Sequence, residues 1–360
     1  MLAAVSIGLI WGKVWPILLA VLFFGLIIFI HEFGHFFTAK LNGVTVHEFA
    51  IGMGPILLKF KKGETLYSLR LFPIGGFNRM EGEDEASEEP GAFCNKKVWQ
   101  RIIIVAAGAL MNLLLGLILL GVINSTDDLI GTRTVAEFYD NAVSCNYGLQ
   151  VDDKIIEING THIFNSTDLS YAMVRDADAV FDFVVIRNGE KIKLENVKFG
   201  TQEVNGRQTV IFDFILYGVE KTPWLVIRNT FLDTLSTARI VWLSLFDIIT
   251  GRYGLRDLSG PIGTIGAISE VVTSEQGTPI GQKILTVVEI MAFISINIGV
   301  FNLLPIPALD GGRLFFLIIE AIRRKPILPK YEKYVHAAGM ILLLALIAVV
   351  SIKDIIYLFK

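Results

Sequence analysis

The run VWPILLAVLFFGLIIFIHEFGHFFTA, Val14 to Ala39, is apolar from Val14 to Ile30 and then turns to His31-Glu32-Phe33-Gly34-His35. A helix needs roughly 20 apolar residues to cross a hydrocarbon core. This run is long enough, and it continues into ionisable residues rather than a small-residue cleavage site, so it reads as a retained helix and not a leader. Three further runs are comparable: Ile102 to Ile123, Ile284 to Ala308 and His336 to Ile352. The whole chain agrees, with 53% hydrophobic and 19% charged residues in 360, more apolar than a soluble domain of this size. A net charge of -3 gives no sign of a nucleic-acid surface. The expectation is a polytopic α-helical membrane protein with four transmembrane helices.

Orientation follows from the loop between spans three and four. Arg313, Arg323, Arg324, Lys325, Lys330 and Lys333 there face only Glu320 and Glu332, and short basic loops stay in the cytoplasm. Spans one and three then run inward and both termini lie outside. Cys94 and Cys145 fall on opposite sides of the second span, so they are expected not to pair.

Residues 41–101 should form a cytoplasmic-side, membrane-associated β-hairpin region. Val44 to Gly52 and Ile56 to Phe72 are strand-like, with a turn at Lys61-Lys62-Gly63-Glu64. Leu57, Leu58, Phe60, Leu69, Leu71 and Phe72 make that sheet greasy enough to dip into the membrane. The acidic run Glu81 to Glu89 reads as a solvated loop. Residues 124–217 lose the apolar character and read as an external α+β domain: a strand at Lys154 to Asn159, a capped helix at Ser166 to Arg175, and a hairpin turning at Asn188-Gly189. Trp224 to Ile249 is apolar yet carries Arg228, Asp233, Arg239 and Asp247, which suits an amphipathic surface helix or a fifth crossing.

His31 and His35 are i and i+4 on one helix face, so both imidazoles can reach one Zn2+ with Glu32 beside its water. A catalytic zinc site needs a third protein ligand. His47, His162 and His336 qualify by type, but Asp310 is the better candidate. It ends Asn302-Leu303-Leu304-Pro305-Ile306-Pro307-Ala308-Leu309-Asp310-Gly311-Gly312, where prolines break the helix and glycines permit close backbone approach.

HEFGH at the end of the first span and NLLPIPALDGG at the end of the third, with an external module between, resemble the site-2 proteases, and within them the bacterial regulator-of-sigma-E protease group, over essentially the whole length. The resemblance implies that His31, His35 and Asp310 hold zinc and that Glu32 is the catalytic acid/base. It requires His35 and Asp310 to share one membrane side, hence an even number of crossings between them, which lays Trp224 to Ile249 along the outer face. Gly108-Ala109-Leu110-Met111-Asn112 is similar to a family Gly-x-x-x-Asn element, and Ser259-Gly260-Pro261-Ile262-Gly263 to the segment leading into span three. Asn112 and Asn302 are candidates for substrate contact, or else for an interhelical hydrogen bond and a helix cap. Tyr147 to Gly160 makes the external module resemble a PDZ domain, with Asp152-Asp153 where relatives often have Gly-Asp.

The organisation expected is 1–40 first transmembrane helix; 41–101 β-hairpin and cytoplasmic loop; 102–123 second transmembrane helix; 124–217 PDZ-like domain; 218–283 external amphipathic helix and connector; 284–312 third transmembrane helix; 313–335 basic loop; and 336–360 fourth transmembrane helix. The implied function is intramembrane zinc-dependent cleavage of single-span membrane proteins, such as anti-sigma factors or remnant signal peptides, in the bacterial inner membrane, with the active site toward the cytoplasm. The competing class is a non-catalytic PDZ-bearing membrane scaffold with a structural metal site, which an intact Glu32 disfavours.

Overall fold

The computed structural model describes residues 2–83, 85–176, 178–204, 207–252, 254, 258, 260, 263–266, 268–269, 279–325 and 329–358. In chain order the elements are α1 (Leu2–Leu41), β1 (Val46–Lys62), β2 (Thr65–Met80), α2 (Val98–Thr126), β3 (Leu129–Phe138), β4 (Lys154–Ile158), β5 (Thr161–His162) and α3 (Ser166–Arg175). There follow β6 (Val180–Arg187), β7 (Glu190–Lys198), β8 (Thr201–Val204), β9 (Arg207–Val210), β10 (Phe214–Glu220), α4 (Pro223–Ile249), α5 (Ile280–Leu303), α6 (Asp310–Arg323) and α7 (Pro329–Leu358). They form two compact units, one of Met1–Leu119 with Ser244–Lys360 and one of Leu120–Leu243.

Four helical segments are long and apolar enough to cross a membrane: Leu18–Leu41, Val98–Thr126, Ile280–Leu303 and Glu332–Ile356. They correspond to the four apolar runs, with one correction that matters for the chemistry. The third helix stops at Leu303 rather than reaching Ala308, because Leu304 is extended at φ -69° and ψ 143°. Pro305 disfavours helical backbone at the residue before it and removes a donor, and Pro307 repeats the block. The chain therefore crosses residues 304–309 without helix and restarts at Asp310.

The β region of the first unit is larger than a hairpin. Residues 48–51 of β1 pair on one side with 66–69 and on the other with 76–79, while 56–62 pair back onto 65–70. Two long strands thus fold into four segments in the order 56–62, 65–70, 46–51, 76–80, antiparallel at the two outer pairings and in rising, parallel register between 65–70 and 46–51. The doubling needs a sharp bend in β1, and Gly52 supplies it at φ 83°, where a Cβ would stand 2.6 Å from the Phe72 carbonyl oxygen. Glu48 is buried in the sheet and accepts from Ser68 Oγ (2.8 Å) and Arg70 Nη2 (2.6 Å). The far end is unlike that: Met53, Leu57, Leu58, Phe60, Leu71 and Phe72 are all exposed. The following acidic run is less solvated than its composition suggests. Glu81 accepts from Ser87 Oγ (2.5 Å) and pairs with His47 Nε2 (2.6 Å), which together hold its carboxyl below the usual range, and Glu83 pairs with Arg313.

Gly260 and Gly263 donate their N–H groups to Asp354 Oδ2 of α7 at 2.8 and 2.9 Å. Ser259, Pro261 and Ile262 of the same motif lie outside the described residues.

The second unit holds a sheet in the order β10-β3-β4-β6-β7 with β5 on β4. Phe181, Phe183, Ile155, Ile158, Leu169 and Met173 fill its core. Asn165 caps α3 by accepting from Asp168 N at 2.9 Å, and Asn188 and Gly189 turn β6 into β7 with φ 52° and 86°, the left-handed pair that an Asn-Gly hairpin favours. Asp152 adopts φ 69°, a region aspartate tolerates better than most residues.

Within α4 the amphipathicity is inverted. Its polar face is buried: Asp233 accepts from Asn165 (2.7 Å), Asn229 (2.8 Å) and Asn124 (2.9 Å), and Arg239 pairs with the fully buried Asp168 at 2.6 Å. Burial among these amides pushes the Asp233 carboxyl up. Trp224, Ile227, Phe231 and Leu235, at helical spacing, are exposed.

Asp153 joins β6 to the Gly148–Gln150 turn by accepting from Arg187 Nε and Nη2 (both 2.7 Å) and from Gln150 N (2.8 Å), with no solvent exposure. Removing Asp153 leaves the part-buried Arg187 and the Gln150 N–H without their shared acceptor, a loss on the order of 1–3 kcal/mol for a stranded buried group. Asp153→Ala is therefore expected to lower the urea midpoint of the second unit well below that of the exposed control Asp178→Ala, followed by limited proteolysis of the full chain.

Candidate metal centre

The C-terminal end of α1 packs closely on α2, backbone to backbone at Gly34 and through the two imidazoles at Gly108. A Cβ at Gly34 would lie 2.5 Å from the Ala107 carbonyl oxygen, and one at Gly108 would collide with His35 Nε2 and come within 2.8 Å of His31 Cε1. These two glycines let the helices touch backbone to backbone, and the imidazoles occupy the space that a side chain on α2 would fill.

His31 and His35 emerge from one face of α1 as their spacing requires, with Nε2 atoms 3.2 Å apart. Asp310 Oδ2 lies 3.1 Å from each. His35 Nδ1 is 2.9 Å from the Ile104 carbonyl oxygen, an acceptor, so Nδ1 carries the proton and Nε2 offers its lone pair to the triangle.

Asp310 arrives here because the helix is broken. α5 ends at Leu303, residues 304–309 fold back, and Asp310 is the first residue of α6. The break is packed by glycine: a Cβ at Gly311 would clash with the Leu304 carbonyl, and one at Gly312 would stand 2.7 Å from the Ile306 oxygen.

The donor set fits zinc. Tetrahedral ligands about 2.0–2.1 Å from the ion stand about 3.3 Å from one another, and the triangle has edges of 3.1, 3.1 and 3.2 Å. Two imidazole nitrogens and one carboxylate oxygen leave a fourth position open, as hydrolytic zinc sites require.

Glu32 sits on the side of α1 that meets β2. Asn78 Nδ2 donates both to the Glu32 carbonyl oxygen and to Oε2, each at 2.8 Å, and a Cβ on Gly76 would lie 2.8 Å from Glu32 Cγ. The strand 76–80 is thus pressed against the carboxylate that follows the first histidine. Sequence reasoning missed Asn78, since a lone asparagine in a strand carries no signal of its partner.

The other candidates separate. Asn112 is fully buried, with Nδ2 3.4 Å from His31 Nδ1 and Oδ1 without a partner. Turning that amide over lets Oδ1 accept from His31 Nδ1–H, the proton this ring carries when Nε2 is a ligand. Its place is behind the histidine. Asn302 lies in the last turn of α5 and makes no side-chain hydrogen bond among the described residues. His47 pairs with Glu81, His162 belongs to the second unit with its ring on Phe164, and His336 Nδ1 accepts from Ala308 N. None of the three joins the triangle, the one cluster of metal-ligating side chains among the described residues.

Comparison with known proteins identifies the family of the chain. The family model of Peptidase family M50 matches residues 19–346. A zinc metalloprotease, by name, of Clostridium acetobutylicum is 35% identical over 353 residues, 95% of this chain and 97% of its own. The zinc metalloprotease RasP of Bacillus licheniformis is 30% identical over 423 residues, covering 94% and 98%. The regulator of sigma-W protease RasP of Bacillus subtilis is 30% identical over 427 residues, again covering 94% and 98%. With a match over nearly its whole length, the chain belongs to peptidase family M50, the site-2 type, and is a zinc metalloprotease.

Proposed function

We propose that this protease hydrolyses peptide bonds inside the transmembrane segments of single-span membrane proteins, with His31, His35 and Asp310 as zinc ligands and Glu32 as general base and acid. One observation carries the reading: three donor atoms converge at the end of an apolar helix with a carboxylate fixed beside them.

Bound by these ligands, zinc supplies Lewis acidity that acidifies water and polarises a carbonyl. The chain does the rest. Glu32 takes the proton of the attacking water and returns it to the leaving amine. Asn78 restricts the carboxylate to one orientation through Oε2. Ile104 and Asn112 fix the tautomers of His35 and His31 from behind.

A helical substrate hides its scissile amide, and unwinding it in lipid leaves backbone groups unpaired. The folded β1–β2 sheet supports an answer by strand addition. Its edges are 56–62 and 76–80, whereas Leu69 pairs with both Ile51 and Leu58 and is interior. The 76–80 edge touches Glu32, and the exposed apolar tip around Leu57 and Leu58 suits insertion among acyl chains.

The second unit is read as a PDZ-like domain on the external face, filtering substrates by the size of their outer portion. α4 lies along the outer leaflet with Trp224, Ile227, Phe231 and Leu235 in lipid. Asn302, at the mouth of the broken helix, contacts substrate backbone. The name of the Bacillus subtilis relative refers to sigma-W regulation, and anti-sigma factors or remnant signal peptides of the inner membrane are the corresponding substrates here, cut near the cytoplasmic end of their span.

Three outcomes are expected with a single-span reporter in proteoliposomes. Glu32→Gln retains zinc, measured by mass spectrometry of the metal, but loses cleavage by at least about 10²-fold; equal cleavage by both proteins would remove Glu32 from the mechanism. Gly108→Ala, by displacing both imidazoles, loses zinc as well as activity. Leu58→Pro, which disturbs an edge segment, lowers cleavage of a helical substrate more than that of a segment already unwound by helix-breaking residues; equal losses would remove strand addition.

A further inference from the structure

Asp310 reaches the histidines from a turn that is conformationally unfavourable. Ala308, two residues earlier, has φ 80°, a left-handed conformation that glycine adopts freely and alanine does not. Something outside residues 304–309 holds it there. The Ala308 N–H is donated to His336 Nδ1 of α7 at 3.0 Å. The same face of α7 carries Gly339, where a Cβ would lie 2.7 Å from the Pro307 carbonyl carbon and oxygen, so the loop rests directly on the helix backbone one turn along.

The His336 ring is itself fixed. It packs 6.0 Å from the Phe316 ring of α6. Its Cε1 would stand 3.1 Å from a Cβ on Gly312, and its Nε2 faces Glu332 Oε1 at 3.8 Å. Since Nδ1 accepts, Nε2 carries the proton, the tautomer a carboxylate on that side favours. The ring is therefore wedged between the start of α6 and the loop, with its lone pair aimed at the Ala308 amide.

We propose that His336 is a positioning residue for the metal centre: by accepting the Ala308 N–H it holds the left-handed turn that delivers Asp310 to His31 and His35. It is not a ligand, and it acts only through the backbone. The proposal rests on Asp310 being the third zinc ligand, and the test separates the two.

The readout is zinc retention by the detergent-solubilised full chain titrated with a chelator. His336→Ala is expected to give up zinc at roughly 10-fold lower chelator, the scale of losing an outer support of a ligand. His336→Phe, which keeps the ring packing but has no acceptor, should do the same. Ala308→Gly alone should retain zinc like wild type, and added to either His336 variant it should restore most of the loss, because glycine needs no help at positive φ. A merely structural role for His336 would not be rescued at Ala308. Wild-type retention by both His336 variants, or loss that Ala308→Gly leaves untouched, overturns the proposal. Asp310→Ala retaining zinc like wild type overturns instead the ligand assignment beneath it.

Discussion

The structure depends on bringing one carboxylate oxygen to within 3.1 Å of two imidazoles that precede it by 275 and 279 positions in the chain. Polar groups at the end of an apolar helix are costly to leave unsatisfied, so the triangle is also a packing constraint. It dictates that α1 and α2 cross at glycine, that α5 break before the carboxylate, and that the break be folded tightly enough for Asp310 to begin a new helix. Each condition is met by a residue with no chemistry of its own: Gly34, Gly108, Pro305, Gly311. The reactive groups occupy room that these residues vacate.

Around the triangle, support comes from different elements. His35 leans on a carbonyl of α2, His31 on Asn112 of the same helix, Glu32 on Asn78 of the sheet, and the Asp310 loop on His336 of α7. Ser295 of α5 donates to the Asn112 carbonyl at 2.8 Å, tying the helix behind the histidine to the one that leads into the break. Supports from several helices and a sheet make the geometry a property of the whole first unit rather than of its two motifs.

Much of this was legible in the sequence because the signals are local. The apolar runs, the i, i+4 histidines, the Asn165 cap and the Asn188-Gly189 turn each depend on near neighbours, and each has the expected form. The departures depend on distant partners. The sheet doubles because residues 48–51 pair with two segments at once, which alternation along a strand does not encode. Asn78 and His336 look like ordinary polar residues until the fold puts them against Glu32 and Ala308. For Asn112, substrate contact and an interhelical contact were both open, and the fold buries it on α2 with its amide 3.4 Å from His31 of α1, the second alternative. The end of α5 was readable from Pro305 in principle, but the hydrophobic run continues through Ala308 and masks it.

The inside-out character of α4 has a consequence for handling the second unit. Its hydrogen-bonding residues are engaged inward with Asn165 and Asp168, and what it shows outward is Trp224, Ile227, Phe231 and Leu235. Excised into water, that third of the chain would present a greasy ridge and self-associate through it. Excising it as a well-behaved water-soluble fragment therefore means either replacing those four side chains with polar ones or ending the fragment before Trp224, which strips Asn165 and Asp168 of the partners that α4 provides.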